Sequence, residues 1–162
     1  MGELKQKAAQ YADAFDGALT LADEAGRARK AAKIRAVLDA EQALSRENIR
    51  ILDNGCSFGI ILEQITPDSG LGVGVDMDRG IGRKCNNLAF ARADGENLPF
   101  ADSSFDIVIC NHVYEHTDNA GRLLAEIQRV MGDDGVCYFA GPIKYERVEP
   151  HYGLPCLSWL PR

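Results

Sequence analysis

The sequence predicts an α/β fold, a doubly wound parallel sheet with helices on both faces, preceded by N-terminal helices. Three observations carry that expectation. From residue 49 to residue 140, short apolar runs alternate with amphipathic stretches. The run Ile107–Cys110 is apolar without a break, as in strands covered on both faces. Turn-forming residues follow the apolar runs, where sheets of this kind bind ligands.

Each element can be justified in order. Leu4, Ala8, Tyr11, Phe15 and Leu19 recur at helical spacing, and Ile34, Val37, Leu38 and Leu44 make a second stripe. Residues 1–48 are therefore expected to form a helical segment, with interruptions near Asp16-Gly17 and Ala25-Gly26. After Asn48 the period changes to that of strands. Residues 49–53 make the first strand, followed by a glycine-containing turn and a helical stretch ending at Ile65. Thr66-Pro67-Asp68-Ser69-Gly70 is a strong turn. Residues 71–76 are a second strand, 79–87 a short helix weakened by glycine, and 88–93 a third strand. Residues 105–111 are the fourth. Residues 119–131 read as a helix with Leu123, Leu124, Ile127 and Val130 on one face. Gly132-Asp133-Asp134-Gly135 breaks it, and residues 136–140 form the fifth strand. Right-handed crossovers then determine most of the topology.

Composition narrows the class. Of the 162 residues, 46% are hydrophobic and 26% charged, which suits one globular domain. Net charge is −6, distributed as +1 over residues 1–50 and −7 over residues 51–162. A basic stripe is absent, so nucleic acid is not an expected partner. No apolar run approaches the length of a membrane helix. Residues 1–20 carry Glu3, Asp13 and Asp16 and no apolar stretch of the signal-peptide kind, so the expected location is cytoplasmic. The five cysteines include no C-x-x-C pair, which supports neither zinc nor a redox motif and suits reduced thiols. Cys110 and Cys137 lie in apolar runs and read as core.

The residues that follow the strands carry the chemistry. The first strand ends in Asp53-Asn54-Gly55-Cys56-Ser57-Phe58-Gly59, where glycine permits a sharp turn and the close approach of a ligand. The second ends at Asp76, a carboxylate able to accept two hydrogen bonds from a ribose diol. The third ends at Asp94-Gly95 and the fourth at Asn111-His112. Each is ordinary alone. Their order at the ends of consecutive strands is specific.

In these stretches the chain resembles a class I S-adenosylmethionine-dependent methyltransferase, of the small-molecule branch related to the ubiquinone and menaquinone biosynthesis enzymes. The matching segments are Ile51 to Gly59, Val73 to Asp78, Ala93 to Phe100, Ser104 to Val108, Asn111 to His116 and Leu124 to Gly135. The resemblance implies a Rossmann-like fold of methyltransferase type, with S-adenosylmethionine as cofactor. Asp53 and the Gly55 backbone would hold the methionine amine, and Cys56, Ser57 and Gly59 would pass close to the methionine moiety. Asp76 would accept the ribose hydroxyls, with Met77 beside the adenine. Asp94 would bond the adenine amino group, the Gly95 N–H a ring nitrogen, and the Asn111 carbonyl would complete the amine site.

Two departures from the family pattern stand out. The middle glycine of the family's Gly-x-Gly-x-Gly turn is Ser57 here. A positive φ at that position would cost serine on the order of 1 kcal/mol. Ser57 either caps the helix or bonds the cofactor carboxylate. The family sheet has seven strands, whereas five are legible. Residues 49–142 are thus expected to form the cofactor-binding core, and 143–162 the start of a substrate-covering insertion or a truncated tail. An unprotected fifth strand would be an association liability, and the expected form is a monomer or a weak homodimer.

Other features read as structural. His112-Val113-Tyr114-Glu115-His116 has the H-x-x-E-H form of a zinc site, but His112 directly follows a strand, and no metal is expected. Gly70-Leu71-Gly72-Val73-Gly74 enters a strand instead of opening a helix, which indicates close packing. The charge cluster Arg27–Arg35 reads as a solvated face, its functional alternative being that Arg29 or Lys30 reaches the cofactor carboxylate. His112, Glu115 and His116 are the available bases, and no catalytic residue is assigned. The expected function is methyl transfer to a small-molecule acceptor. The alternatives are a catalytically inactive cofactor-binding remnant or interaction module, and a nicotinamide-dependent oxidoreductase.

Overall fold

The computed structural model describes residues 24–78 and 86–141. The expected helical stripe of Leu4 to Leu19, most of the expected helix at 79–87, and the tail 143–162 lie outside these residues. The elements are α1 (Glu24–Ala40), β1 (Arg50–Asn54), α2 (Ile60–Ile65), β2 (Leu71–Asp76), β3 (Leu88–Arg92), β4 (Phe105–Asn111), α3 (Ala120–Val130) and β5 (Met131–Ala140). Short 3-10 turns stand at Ala43–Ser45 and Tyr114–His116.

The five strands form one sheet in the order β3-β2-β1-β4-β5, and every pairing is parallel. Alternate side chains of each strand leave on opposite faces. Ile51, Ile107 and Ile109 join Ala31, Ile34 and Leu38 of α1 and Ile61, Leu62 and Ile65 of α2 in one core cluster. Their sequence neighbours Leu52, Val108 and Cys110 join Leu123, Ile127 and Val130 of α3 in the other. The doubly wound expectation therefore holds, and Ile107–Cys110 is buried throughout because both faces are covered.

Two details differ from the sequence reading, and a third agrees with it. Val37 and Leu124, expected on the buried stripes, are 44% and 50% exposed. Helical spacing gave them a neighbouring angle, but the contact faces of α1 and α3 are narrower than the apolar stripes. The fifth strand begins at Met131, because residues 132–135 form a bulge between Phe105↔Met131 and Ile107↔Val136 instead of ending the pairing. Among the glycines of the 70–74 run, Cβ atoms at Gly72 and Gly74 would lie 2.5 Å from Leu88 Cδ2 and 2.7 Å from Cys56 Sγ, so the run serves close packing.

The chain order reverses between β1 and β4, which places the switch point of the sheet at the carboxyl ends of these two strands. Asp53, Asn54, Asn111 and His112 all stand there.

Candidate active site

The site is built first by the backbone after β1. Gly55 N and Cys56 N both donate to Val75 O, at 2.8 and 3.0 Å, so the turn is latched onto β2. Gly55 has φ +86°, and a Cβ there would strike the Val113 side chain of the turn after β4. Glycine thus satisfies a left-handed conformation and a close approach at once. Ser57 is also left-handed, with φ +50°, and its N–H donates to Asp76 Oδ2 at 2.7 Å. Gly59, at φ +74°, precedes α2. The turn and the end of β2 are therefore one bonded unit.

Asp76 keeps room for a ligand. Its other oxygen, Oδ1, accepts the Asp78 N–H at 3.0 Å, so each oxygen receives one backbone donor and retains a lone pair. Beside it, Met77 O accepts from Arg92 Nε at 2.8 Å. Asp53 is 3% exposed, and no hydrogen bond reaches its carboxylate among the described residues. Burial pushes its pKa up to about 7, the Asp76 charge adds to the rise, and the Arg27 guanidinium opposes it. A buried acid without a donor beside an acidic neighbour is suited to receiving a cation.

The third strand end joins the same unit. Asp94 Oδ1 accepts the Glu96 N–H at 3.0 Å, which closes the 94–97 turn. A Cβ at Gly95 would stand 2.5 Å from Asn54 Oδ1, so this turn lies directly against the end of β1. Glu96 Oε1 accepts from Asp118 N and Asn119 N, tying the turn to the start of α3. Arg129 of α3 donates to the Leu98 and Phe100 carbonyls, and Glu126 accepts from Leu98 N. Their mutual hydrogen bonds lower the pKa of Glu126 and raise that of Arg129.

At β4, Asn111 pairs with Ala140 and His112 follows with φ +57°. His112 Nδ1 lies 3.2 Å from Glu115 Oε1, while Glu115 Oε2 is buried without a partner among the described residues. Cys56 is 3% exposed, and burial pushes its thiol pKa up, which makes it a packing residue and a poor nucleophile.

All ten residues singled out in the sequence (Asp53, Gly55, Cys56, Ser57, Gly59, Asp76, Met77, Asp94, Gly95 and Asn111) thus stand along the carboxyl ends of β1 to β4 or in the turns that follow them. Two others escaped sequence reasoning. Asn54 is 1% exposed, and its Nδ2 has no partner among the described residues. Arg27 of α1 reaches the turn, its Nη2 donating to Ser57 Oγ at 3.4 Å, whereas Arg29 and Lys30 are exposed. Only the rotation of α1 distinguishes these three cations, and a run of charges does not reveal it.

Comparison with known proteins identifies the architecture. A family described as methyltransferase domain matches residues 52–139, which spans β1 to β5. The chain belongs to the methyltransferase domain family. It is 33% identical over 104 residues to a malonyl-[acyl-carrier protein] O-methyltransferase of Geobacter sulfurreducens, covering 58% of this chain and 39% of that protein. It is 30% identical over 100 residues to a demethylmenaquinone methyltransferase of Corynebacterium kroppenstedtii, covering 58% and 43%. The solved structure of an arsenic(III) S-adenosylmethionine methyltransferase from Chlamydomonas reinhardtii superposes with a TM-score of 0.52 at 28% identity, over 59% of this chain and 39% of that one. The chain spans about two fifths of the length of these relatives. The match gives no support to the nicotinamide or interaction-module readings.

Proposed function

We propose that this methyltransferase-family chain binds S-adenosylmethionine and transfers its methyl group to a small-molecule acceptor. One observation carries the reading: the turn that leaves β1 at the switch point is bonded to the Asp76 carboxylate, and Asp53, buried at the same strand end, receives no hydrogen bond among the described residues. The donor set fits the cofactor. Asp76 would take the ribose hydroxyls, Asp53 and the Asn111 carbonyl the ammonium, and Asp94 with the Gly95 N–H the adenine edge. Gly55, Cys56, Ser57 and Gly59 would border the methionine moiety, and Met77 the adenine.

When bound, S-adenosylmethionine supplies a methyl on a sulfonium that leaves without acid assistance. The chain then has to orient the acceptor in line and exclude water. For an acceptor that must lose a proton, His112 is the available base, because Glu115 Oε1 beside Nδ1 leaves Nε2 as the proton acceptor. We assign residues 49–142 to the cofactor-binding core. A cytoplasmic monomer or weak homodimer is the form we expect.

Two of the relatives are by name a malonyl-[acyl-carrier protein] O-methyltransferase and a demethylmenaquinone methyltransferase, so acyl-carrier acids and quinone-type acceptors both belong in the test. Incubation with methyl-labelled S-adenosylmethionine and panels of acyl thioester acids and hydroquinones is expected to label one class. Absence of label in every panel would contradict the assignment of transferase activity.

A further inference from the structure

Asn54 ends β1 among apolar neighbours. Its register partners Val75 and Cys110 are fully buried, and Leu52, two residues earlier on the same face, belongs to the core against α3. The Asn54 side chain is buried with them, and its Nδ2 finds no acceptor among the described residues. A buried donor left unpaired loses its water without compensation, so leucine, of similar shape, would suit the free fold at least as well. Against the amide lies the turn after β3. A Cβ at Gly95 would stand 2.5 Å from Oδ1 and 2.9 Å from Nδ2 of Asn54. The rest of this turn is held from other sides. Asn97 N donates to Asp94 O at 2.9 Å, Glu96 N to Asp94 Oδ1 at 3.0 Å, and Leu98 N to Glu126 Oε2 at 2.7 Å. Gly95 rests on Asn54, and its own N–H has no acceptor among the described residues.

We propose that Asn54 is a positioning residue for the nucleobase: its amide is the seat of the Gly95 turn and sets where the Gly95 N–H meets the base. This role rests on the cofactor reading given above, which gives that N–H a ring nitrogen. A hydrogen bond tolerates little error in distance and angle. Adenine offers N1 as an acceptor, whereas hypoxanthine carries a proton there. A turn held at one height distinguishes the two bases, and a turn without its seat does so less well. Glycine at position 95 follows from the same contact. Its φ is not left-handed, so the constraint is the room that Asn54 leaves for a side chain.

Two ligands isolate the base edge. S-adenosylhomocysteine carries adenine, and S-inosylhomocysteine carries hypoxanthine on the same sugar and amino-acid end. Both are titrated into the 162-residue chain, Asn54→Leu, Asn54→Ala, Gly95→Ala and the combination of the two alanines. Asn54→Leu removes the unpaired donor at similar volume, so the free chain is expected to melt no lower than the parent. Its S-adenosylhomocysteine affinity falls roughly 10-fold, as one well-placed hydrogen bond is lost, while the inosyl ligand is unaffected. Gly95→Ala also weakens S-adenosylhomocysteine, and adding Asn54→Ala relieves part of that loss because the new methyl gains room. An unchanged preference for the adenosyl ligand in Asn54→Leu, or a Gly95→Ala loss that Asn54→Ala does not relieve, would overturn the positioning role while the cofactor reading stands. A lower melting temperature in Asn54→Leu with equal loss of both ligands would make Asn54 merely structural, which also overturns it. Binding of neither ligand by the unaltered chain would overturn the cofactor reading as well.

Discussion

Ser57 holds a backbone conformation that its side chain disfavours, at φ +50° between two left-handed glycines. Its N–H to Asp76 and its hydroxyl to Arg27 keep it there. Strain of this kind collects at ligand-binding turns. Ser57→Gly should raise stability by about 1 kcal/mol, since the left-handed penalty disappears. Thermal unfolding without ligand checks this, and a lower midpoint would contradict it. His112 is a second left-handed residue, paired with Glu115 at the end of β4. The residue types of the site were legible in the sequence, because Asp53, Asp76 and Asp94 recur at strand ends. The conformations of Ser57 and His112 were not, since only the tertiary contacts of their turns impose them.

At the scale of elements, periodicity located the sheet well. Ile107–Cys110 announced a strand covered on both faces, and the strand bounds lie within a residue or so of the expected ones, except at β5. That exception has a physical cause. Gly132-Asp133-Asp134-Gly135 has the composition of a helix stop and a turn, yet Met131 already pairs with Phe105, and the four residues are carried as a bulge. Amphipathic spacing likewise overstated the buried faces at Val37 and Leu124. Local pattern reports which residues are apolar, whereas the partner surface decides how many of them are covered. Arg27 is the same lesson for function, because its neighbours Arg29 and Lys30 are chemically equivalent and only the packing of Ala31, Ile34 and Leu38 turns Arg27 to the site. Asn54 was overlooked because it stands within the strand, where a buried amide gives no compositional signal.

The whole molecule accommodates a destabilising acid at its centre. Burial and the Asp76 charge push the Asp53 pKa from 3.8 up to about 7. The folded chain therefore holds this proton more tightly than the unfolded chain, whose Asp titrates near 4. Asp53 favours folding below about pH 4, and this contribution is lost as pH rises to about 7. Asp53→Asn should remove that loss and exceed the parent chain by up to about 4 kcal/mol near pH 8, with a much smaller gap near pH 4. Urea unfolding across this range tests it, and parallel pH profiles for the two chains would contradict it. The same substitution removes the carboxylate proposed to hold the ammonium, so stability and binding are expected to move in opposite directions. A site that is costly in the free fold and satisfied by a charged ligand is consistent with the family to which the chain belongs.

Asp76 and the turn bonded to it are proposed to make a nucleoside-binding site. Calorimetric titration of S-adenosylhomocysteine into the chain and into Asp76→Ala tests it most directly. Saturable one-to-one binding is expected, falling by more than about 100-fold in Asp76→Ala, as two hydrogen bonds to a charged group are lost. No binding by the unaltered chain, or undiminished affinity in Asp76→Ala, would contradict it.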